Sequence, residues 1–285
     1  MSRRFFLILA FSTLPLPVFS GQSTPSSPAV TPSENPTPAF EGEIRQCEKA
    51  VSNDPKNAQA YLEWGIALDQ AGQYGEAESK YLKALELDHH LALAYAHLGF
   101  DLSRRGAFGE ACEYFKKATE INPRLVKVYY NWSLALMAQE EYDQAIEKCQ
   151  RALKINPKDA QATTNWGVIL GQKGETAEAV RKFQKAVELD PQLTSAYFNW
   201  GLTLMDWDQP EKAVVLFKKT TELDPGDAQA FYQWGIALEK SGQFQEAKRK
   251  FEQVLHLKTG DVSWNGAARA EIFKLQKKIQ EEPKN

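Results

Sequence analysis

Residues 160–193 read AQATTNWGVILGQKGETAEAVRKFQKAVELDPQL, and this stretch decides the fold. Its Trp166 belongs to a series, Trp132, Trp166, Trp200 and Trp234, spaced 34 residues apart. Trp64 lies two such periods before Trp132. Other positions keep the same beat. Leu recurs at Leu68, Leu102, Leu136, Leu170, Leu204 and Leu238, and Ala at Ala77, Ala111, Ala145, Ala179, Ala213 and Ala247. Counting from Ala58 gives six full copies: 58–91, 92–125, 126–159, 160–193, 194–227 and 228–261. A fixed period of this length marks a stack of helical hairpins, because one hairpin cannot bury its apolar face alone.

Within a copy the spacing predicts a first helix, as in Val128 to Gln139, and a second, as in Tyr142 to Ile155. Gly72, Gly106, Gly174 and Gly242 stand at the turn between them, where a positive φ is accommodated without cost to a side chain. Pro123, Pro157, Pro191 and Pro225 follow the second helix, which a residue without an N–H cannot extend. In the fifth copy Pro210 falls in the first turn of the second helix, where proline costs little. Small residues, Gly on the first helix and Ala on the second, let the two backbones approach closely.

The pattern Trp166-Gly167, Leu170, Gly174, Ala179, Phe183, Ala186 and Pro191 resembles the tetratricopeptide repeat, and the resemblance runs over roughly residues 40 to 280. It implies an all-α, right-handed superhelical solenoid of six full helix-turn-helix repeats. The chain departs from the family in one consistent way. The bulky residue near the start of the first helix is Tyr61, Tyr95, Tyr129, Tyr197 or Phe231, with Thr163 the exception. Trp stands three places further on, where the family usually has Leu. Residues 40–57 fit a second helix only, a half-repeat with Phe40, Cys47 and Ala50 facing the first full repeat. Residues 262–285 fit a capping helix, with Trp264, Ala268, Ile272, Leu275 and Ile279 on one face and Lys274, Lys277 and Lys278 mostly off it.

Ahead of the repeats, residues 1–20 read as a secretory signal. Arg3 and Arg4 precede an apolar run from Phe5 to Phe19, and Val18 and Ser20 suit cleavage after Ser20. A retained anchor is the competing reading, and it needs about 20 apolar residues without the breaks at Pro15 and Pro17. Residues 21–39, GQSTPSSPAVTPSENPTPA, lack the apolar content to offset ordering and read as a disordered spacer. An extracytoplasmic protein follows, periplasmic or secreted, bacterial, and membrane-tethered if the signal stays on. The formal charge of −3 carries no basic footprint for nucleic acid. Three cysteines, Cys47, Cys112 and Cys149, are not a disulfide framework and read as small core side chains.

No catalytic set or cofactor motif is present, and no metal site is expected. His89 and His90 occupy an inter-repeat turn, and a site joining them to His97 lacks a Cys or paired acid at ligand spacing. The runs Arg181-Lys182 and Lys248-Arg249-Lys250 lie on second helices and read as solvated faces. Function is therefore expected in binding, as a scaffold for other proteins or extended peptide segments.

The resemblance places the first helices on the concave surface, and two rows of residues stand there. One is apolar and includes Phe100, Tyr130, Leu134, Phe198, Leu202 and Tyr232. Exposed, it would be a partner groove; buried, it would be the seam between neighbouring repeats. The other row, just before the Trp position, holds His97, Asn131, Asn165, Asn199 and Gln233. Amides stepping along a groove can pair with the N–H and C=O groups of an extended peptide, as in the asparagine ladders of some tetratricopeptide proteins, or can tie helices together. The two-carboxylate clamp of other family members needs groove cations, for which only Lys127 and Arg104 are candidates. Trp207, off the repeating register, is either an exposed contact residue or packed under the Pro210 turn. Self-association through the same groove is the alternative to partner binding.

Overall fold

The computed structural model describes residues 40–257 and 263–281, all of whose regular structure is helical. The expected signal segment and spacer, residues 1–39, lie outside them. The chain divides into two compact units with the boundary between Pro157 and Lys158. The first unit contains α1 (Glu41–Asn53), α2 (Ala58–Gln70), α3 (Tyr74–Leu87), α4 (Ala92–Arg104), α5 (Phe108–Ile121), α6 (Val126–Ala138) and α7 (Tyr142–Ile155). The second contains α8 (Ala160–Lys173), α9 (Thr176–Leu189), α10 (Thr194–Asp206), α11 (Pro210–Leu223), α12 (Ala228–Lys240), α13 (Phe244–His256) and α14 (Ser263–Glu281). It is an all-α repeat solenoid. In the first unit α2/α3, α4/α5 and α6/α7 are hairpins, with α1 packed on α2. In the second, α8/α9, α10/α11 and α12/α13 are hairpins, and α14 packs on α12 and α13.

In five of the six hairpins a glycine of the first helix faces an aromatic ring of the second at close range. A Cβ placed on Gly65, Gly99, Gly167, Gly201 or Gly235 would lie 2.5–2.9 Å from the rings of Tyr81, Phe115, Phe183, Phe217 and Phe251 respectively. All five rings are fully buried. Burying a side chain of this size contributes about 1.5–3 kcal/mol, and only a residue without a Cβ admits it here. The third hairpin breaks the rule on both sides at once. Ser133 stands at the glycine position and Cys149 at the aromatic one, and both are buried. The Ser133 hydroxyl donates to the Tyr130 carbonyl at 2.7 Å. Burial pushes the Cys149 thiol up to about 12, so it stays protonated and behaves as a small apolar group.

The tryptophans have partners of their own. Lys80, Lys148, Lys182 and Lys250 place their ammonium groups 3.7, 4.2, 3.4 and 3.7 Å from the ring centroids of Trp64, Trp132, Trp166 and Trp234. Lys182 and Lys250 are therefore not simply solvated: their stems and charges lie on indole faces. In the fifth repeat the corresponding lysine is Leu216, which is buried with Trp200 in an apolar cluster.

Turns follow from local chemistry. The carboxylates of Asp54, Asp88, Asp190 and Asp224 and the amide oxygen of Asn122 each accept from the backbone N–H two residues on, at 2.8–3.2 Å, closing the turn between repeats. Asn57, Asp159 and Asp227 cap α2, α8 and α12. The turn inside each hairpin needs a positive φ, and four of the six use glycine. Glu140 and Asp208 adopt it at 64° and 53° without that freedom.

Two expectations follow. Cys149→Phe alone should overpack Ser133 and cost about 1–3 kcal/mol, whereas Ser133→Gly/Cys149→Phe should be more stable than either single variant. Thermal melts of the four-member cycle read the coupling. Glu140→Gly should raise the melting temperature, corresponding to a gain of about 0.5–1 kcal/mol from relief of the left-handed backbone.

Candidate functional site

In the first unit, α4 carries His97 and Phe100, and α6 carries Tyr130, Asn131 and Leu134. In the second, α8 carries Asn165, α10 carries Phe198, Asn199 and Leu202, and α12 carries Tyr232 and Gln233. The apolar row is mostly seam. Leu134, Phe198 and Leu202 are buried, and Phe198 and Leu202 share a core with Ala213 and Phe217. Three of the row's four aromatic members, Phe100, Phe198 and Tyr232, lie against the ring that faces the glycine. Centroid separations are 5.5 Å for Phe100–Phe115, 5.7 Å for Phe198–Phe217 and 5.3 Å for Tyr232–Phe251. Tyr232 also meets Trp264 of α14 at 5.1 Å. An open apolar groove at Leu134, Phe198 and Leu202 is thus corrected: packing of the hairpins covers these side chains. Phe100, Tyr130 and Tyr232 keep part of their surface accessible.

The amide row is anchored within single helices. Asn131 Nδ2 donates to the Lys127 carbonyl at 2.9 Å, and Asn199 Nδ2 to the Ser195 carbonyl at 2.8 Å. Asn165 Oδ1 accepts from Gln161 Nε2 at 3.0 Å. Asn165 and Asn199 are only 5% and 2% exposed, while Asn131 and Gln233 are half-buried. Asn199 Oδ1 and Ser195 Oγ are buried without a hydrogen-bond partner. A buried acceptor left unpaired costs about 1–3 kcal/mol, so such an atom points to something that can donate to it.

His97 differs from the rest of its row. It stacks on Tyr81 with centroids 5.1 Å apart, and its Nδ1 lies 3.5 Å from Asp69 Oδ2. Arg104 reaches the same carboxylate at 3.2 Å, pairs with Asp101 on its own helix, and stacks on the Tyr74 ring at 3.4 Å. Arg104 is therefore spent between the first and second repeats and offers no free cation to a partner's carboxylate. Burial pushes the Asp69 carboxyl up, but His97 and Arg104 together outweigh it and hold it below the usual range. This cluster escaped the periodicity. Its signal was Asp101, a carboxylate at a register otherwise filled by Ala67, Ala135, Ile169, Thr203 and Ala237, since a charge in a core register requires a partner.

Among the described residues, no group of three or more His, Cys, Asp or Glu is placed to hold a metal ion. His89 and His90 are exposed turn residues, and the His90 N–H closes the turn on Asp88. Trp207 is 44% exposed at the C-terminal end of α10. No described helix is long and apolar enough to cross a membrane.

Tetratricopeptide-repeat models match residues 44–92, 89–125, 126–159, 160–193, 194–227 and 229–257. The chain belongs to the tetratricopeptide-repeat family. Solved structures agree in fold. One, YrrB, described as a tetratricopeptide-repeat protein with an unusual peptide-binding site, is 27% identical with a TM-score of 0.52, over 66% of this chain and 96% of that one. A tetratricopeptide-repeat protein from Parabacteroides merdae ATCC 43184 has a TM-score of 0.67 at 14% identity, over 83% and 92% of the two chains. PilF of Pseudomonas aeruginosa has a TM-score of 0.61 at 20% identity, over 80% and 99%. No curated protein sequence matches. A tetratricopeptide-repeat fold is that of a protein-interaction scaffold, and such scaffolds are generally not enzymes.

The Asp69 carboxyl gives a pH expectation. Its folded value lies below the ordinary one, so its stabilisation is complete above about pH 4 and is lost as pH falls through the folded value. Asp69→Asn should therefore cost about 2 kcal/mol at neutral pH. The gap between variant and parent melting temperatures should close in acid.

Proposed function

We propose that this protein is an exported scaffold that holds extended peptide segments of partner proteins against the amide-bearing faces of its first helices. The observation that carries the reading is the Asn199 amide. Its Nδ2 is tied to the Ser195 carbonyl, which fixes the group, and its Oδ1 is a buried acceptor with no donor. A peptide N–H is the donor such a position suits, because it delivers one hydrogen bond whatever the side chains beside it. Gln233 on α12 offers a second, more accessible amide in the same register, beside the accessible part of Tyr232. In the first unit Asn131 and Tyr130 hold the equivalent places on α6. The likeness to a protein with a peptide-binding site supports the same direction. Export rests on Arg3, Arg4 and the apolar run that follows them.

Peptides selected from a random display library on the full chain test the proposal. Binders should lose about tenfold in affinity, or 1.4 kcal/mol, on Asn199→Ala, and several-fold on Gln233→Ala, whose half-exposed site leaves melting unchanged. Binders indifferent to both substitutions would sink the amide-row reading. Secretion of a fusion carrying residues 1–39 tests export, and retention of the fusion in the cytoplasm would end that part.

A further inference from the structure

The run Lys248-Arg249-Lys250 has a place in the structure that the amide row does not explain. Its Arg249 and Lys250 line a furrow between α11 and α13, both second helices of the second unit. The furrow holds a cavity of about 720 Å³, with Val214 and Trp234 at its base and Lys218, Arg249 and Lys250 among its walls. Val214 and Trp234 also pack into the core beneath, so the base is rigid and apolar.

The Trp234 ring face is covered by Lys250. Its indole N–H is buried without an acceptor, as at Trp64, Trp132, Trp166 and Trp200, so it is common to the repeats. Charge is what sets the furrow apart. The two acids of the lining have cations of their own: Glu246 pairs with Arg249 at 3.9 Å, and Glu252 with Lys248 at 3.4 Å. Lys250 donates only to the neutral Gln253 Oε1, at 3.2 Å. Among the described residues neither Lys218 nor Lys250 has a carboxylate within ion-pair distance. Burial lowers the Lys250 ammonium from its usual range, Glu246 opposes this, and the like charges of Arg249 and Lys218 add to it. The furrow is thus locally cationic on a chain whose net charge is −3.

We propose that this furrow docks an acidic peptide segment of a partner protein, an apolar side chain resting on Val214 and Trp234 and flanking carboxylates meeting Lys218 and Lys250. Nucleic acid fits less well, because a continuous polyanion would also meet Glu246 and Glu252, and the base is aliphatic on one side. This surface lies on second helices and is separate from the amide row of the first helices.

The test uses the full chain and a fluorescein-labelled peptide of alternating Glu and Leu, followed by anisotropy at low and high salt. Saturable binding that weakens with salt is expected. Lys218→Glu, at an exposed position, should weaken it about tenfold, the effect of losing one well-placed contact. Lys116→Glu, the same register three hairpins earlier, in the other unit, should leave it unchanged, as should Asn199→Ala. The proposal is overturned by absence of binding, by equal losses for Lys116→Glu and Lys218→Glu, or by a Lys-Leu peptide or a thymidine oligonucleotide binding as well as the acidic one.

Discussion

The contact between a bare glycine and an aromatic ring is the constraint on which the hairpins depend. At five positions the ring occupies space that a Cβ would claim, within 2.5–2.9 Å of where that atom would stand. This fixes the distance between first and second helices and orients the ring toward the first-helix face. Phe100, Phe198 and Tyr232 then pack on the ring, so the same contact that closes a hairpin also covers much of the row where a groove was expected. Packing and exposure compete for the same residues. The third hairpin shows that the constraint is one of joint volume. Ser133 adds atoms on one helix, and Cys149 removes more on the other, so the close packing of the interior survives with both residues buried.

With much of the apolar row consumed, the first helices keep parts of Phe100, Tyr130 and Tyr232 accessible beside a polar row. Asn131, Asn165 and Asn199 spend one end of their amides on their own helices, which holds them in fixed orientations. His97 is drawn instead into the Asp69–Arg104 cluster, so the row is not uniform: its second member locks two repeats together, and the later ones stand on helices without such a lock. A periodic sequence has in this way been given different tasks at different repeats.

The second helices are not merely a solvated outside. Replacing the family's usual leucine by tryptophan leaves a ring face that a lysine sixteen residues later covers, at 3.4–4.2 Å in four repeats. The pairing accounts for charged residues at half-buried positions and for the lowered ammonium of Lys182, whose burial is the leading cause. Where the furrow between α11 and α13 opens, Lys218 and Lys250 line it without a carboxylate partner among the described residues.

The sequence by itself determined the hairpins, their number, the turns and the family, because all of these rest on interactions between residues close along the chain. The 34-residue beat, glycine at positive φ and proline after the second helix were sufficient for that. It did not determine which first-helix residues are exposed. Leu134, Phe198 and Leu202 have the same periodicity whether they line a groove or a seam, and only the packed neighbours distinguish the two. Arg104 and Asp69 lie 35 residues apart, so their pairing required the repeats to be stacked. The Ser133–Cys149 exchange was present in the letters but acquired meaning once Gly65, Gly99, Gly167, Gly201 and Gly235 were seen against their rings. Local order is written in the chain, whereas exposure, charge pairing and open volume are properties of surfaces that exist only after the helices have met.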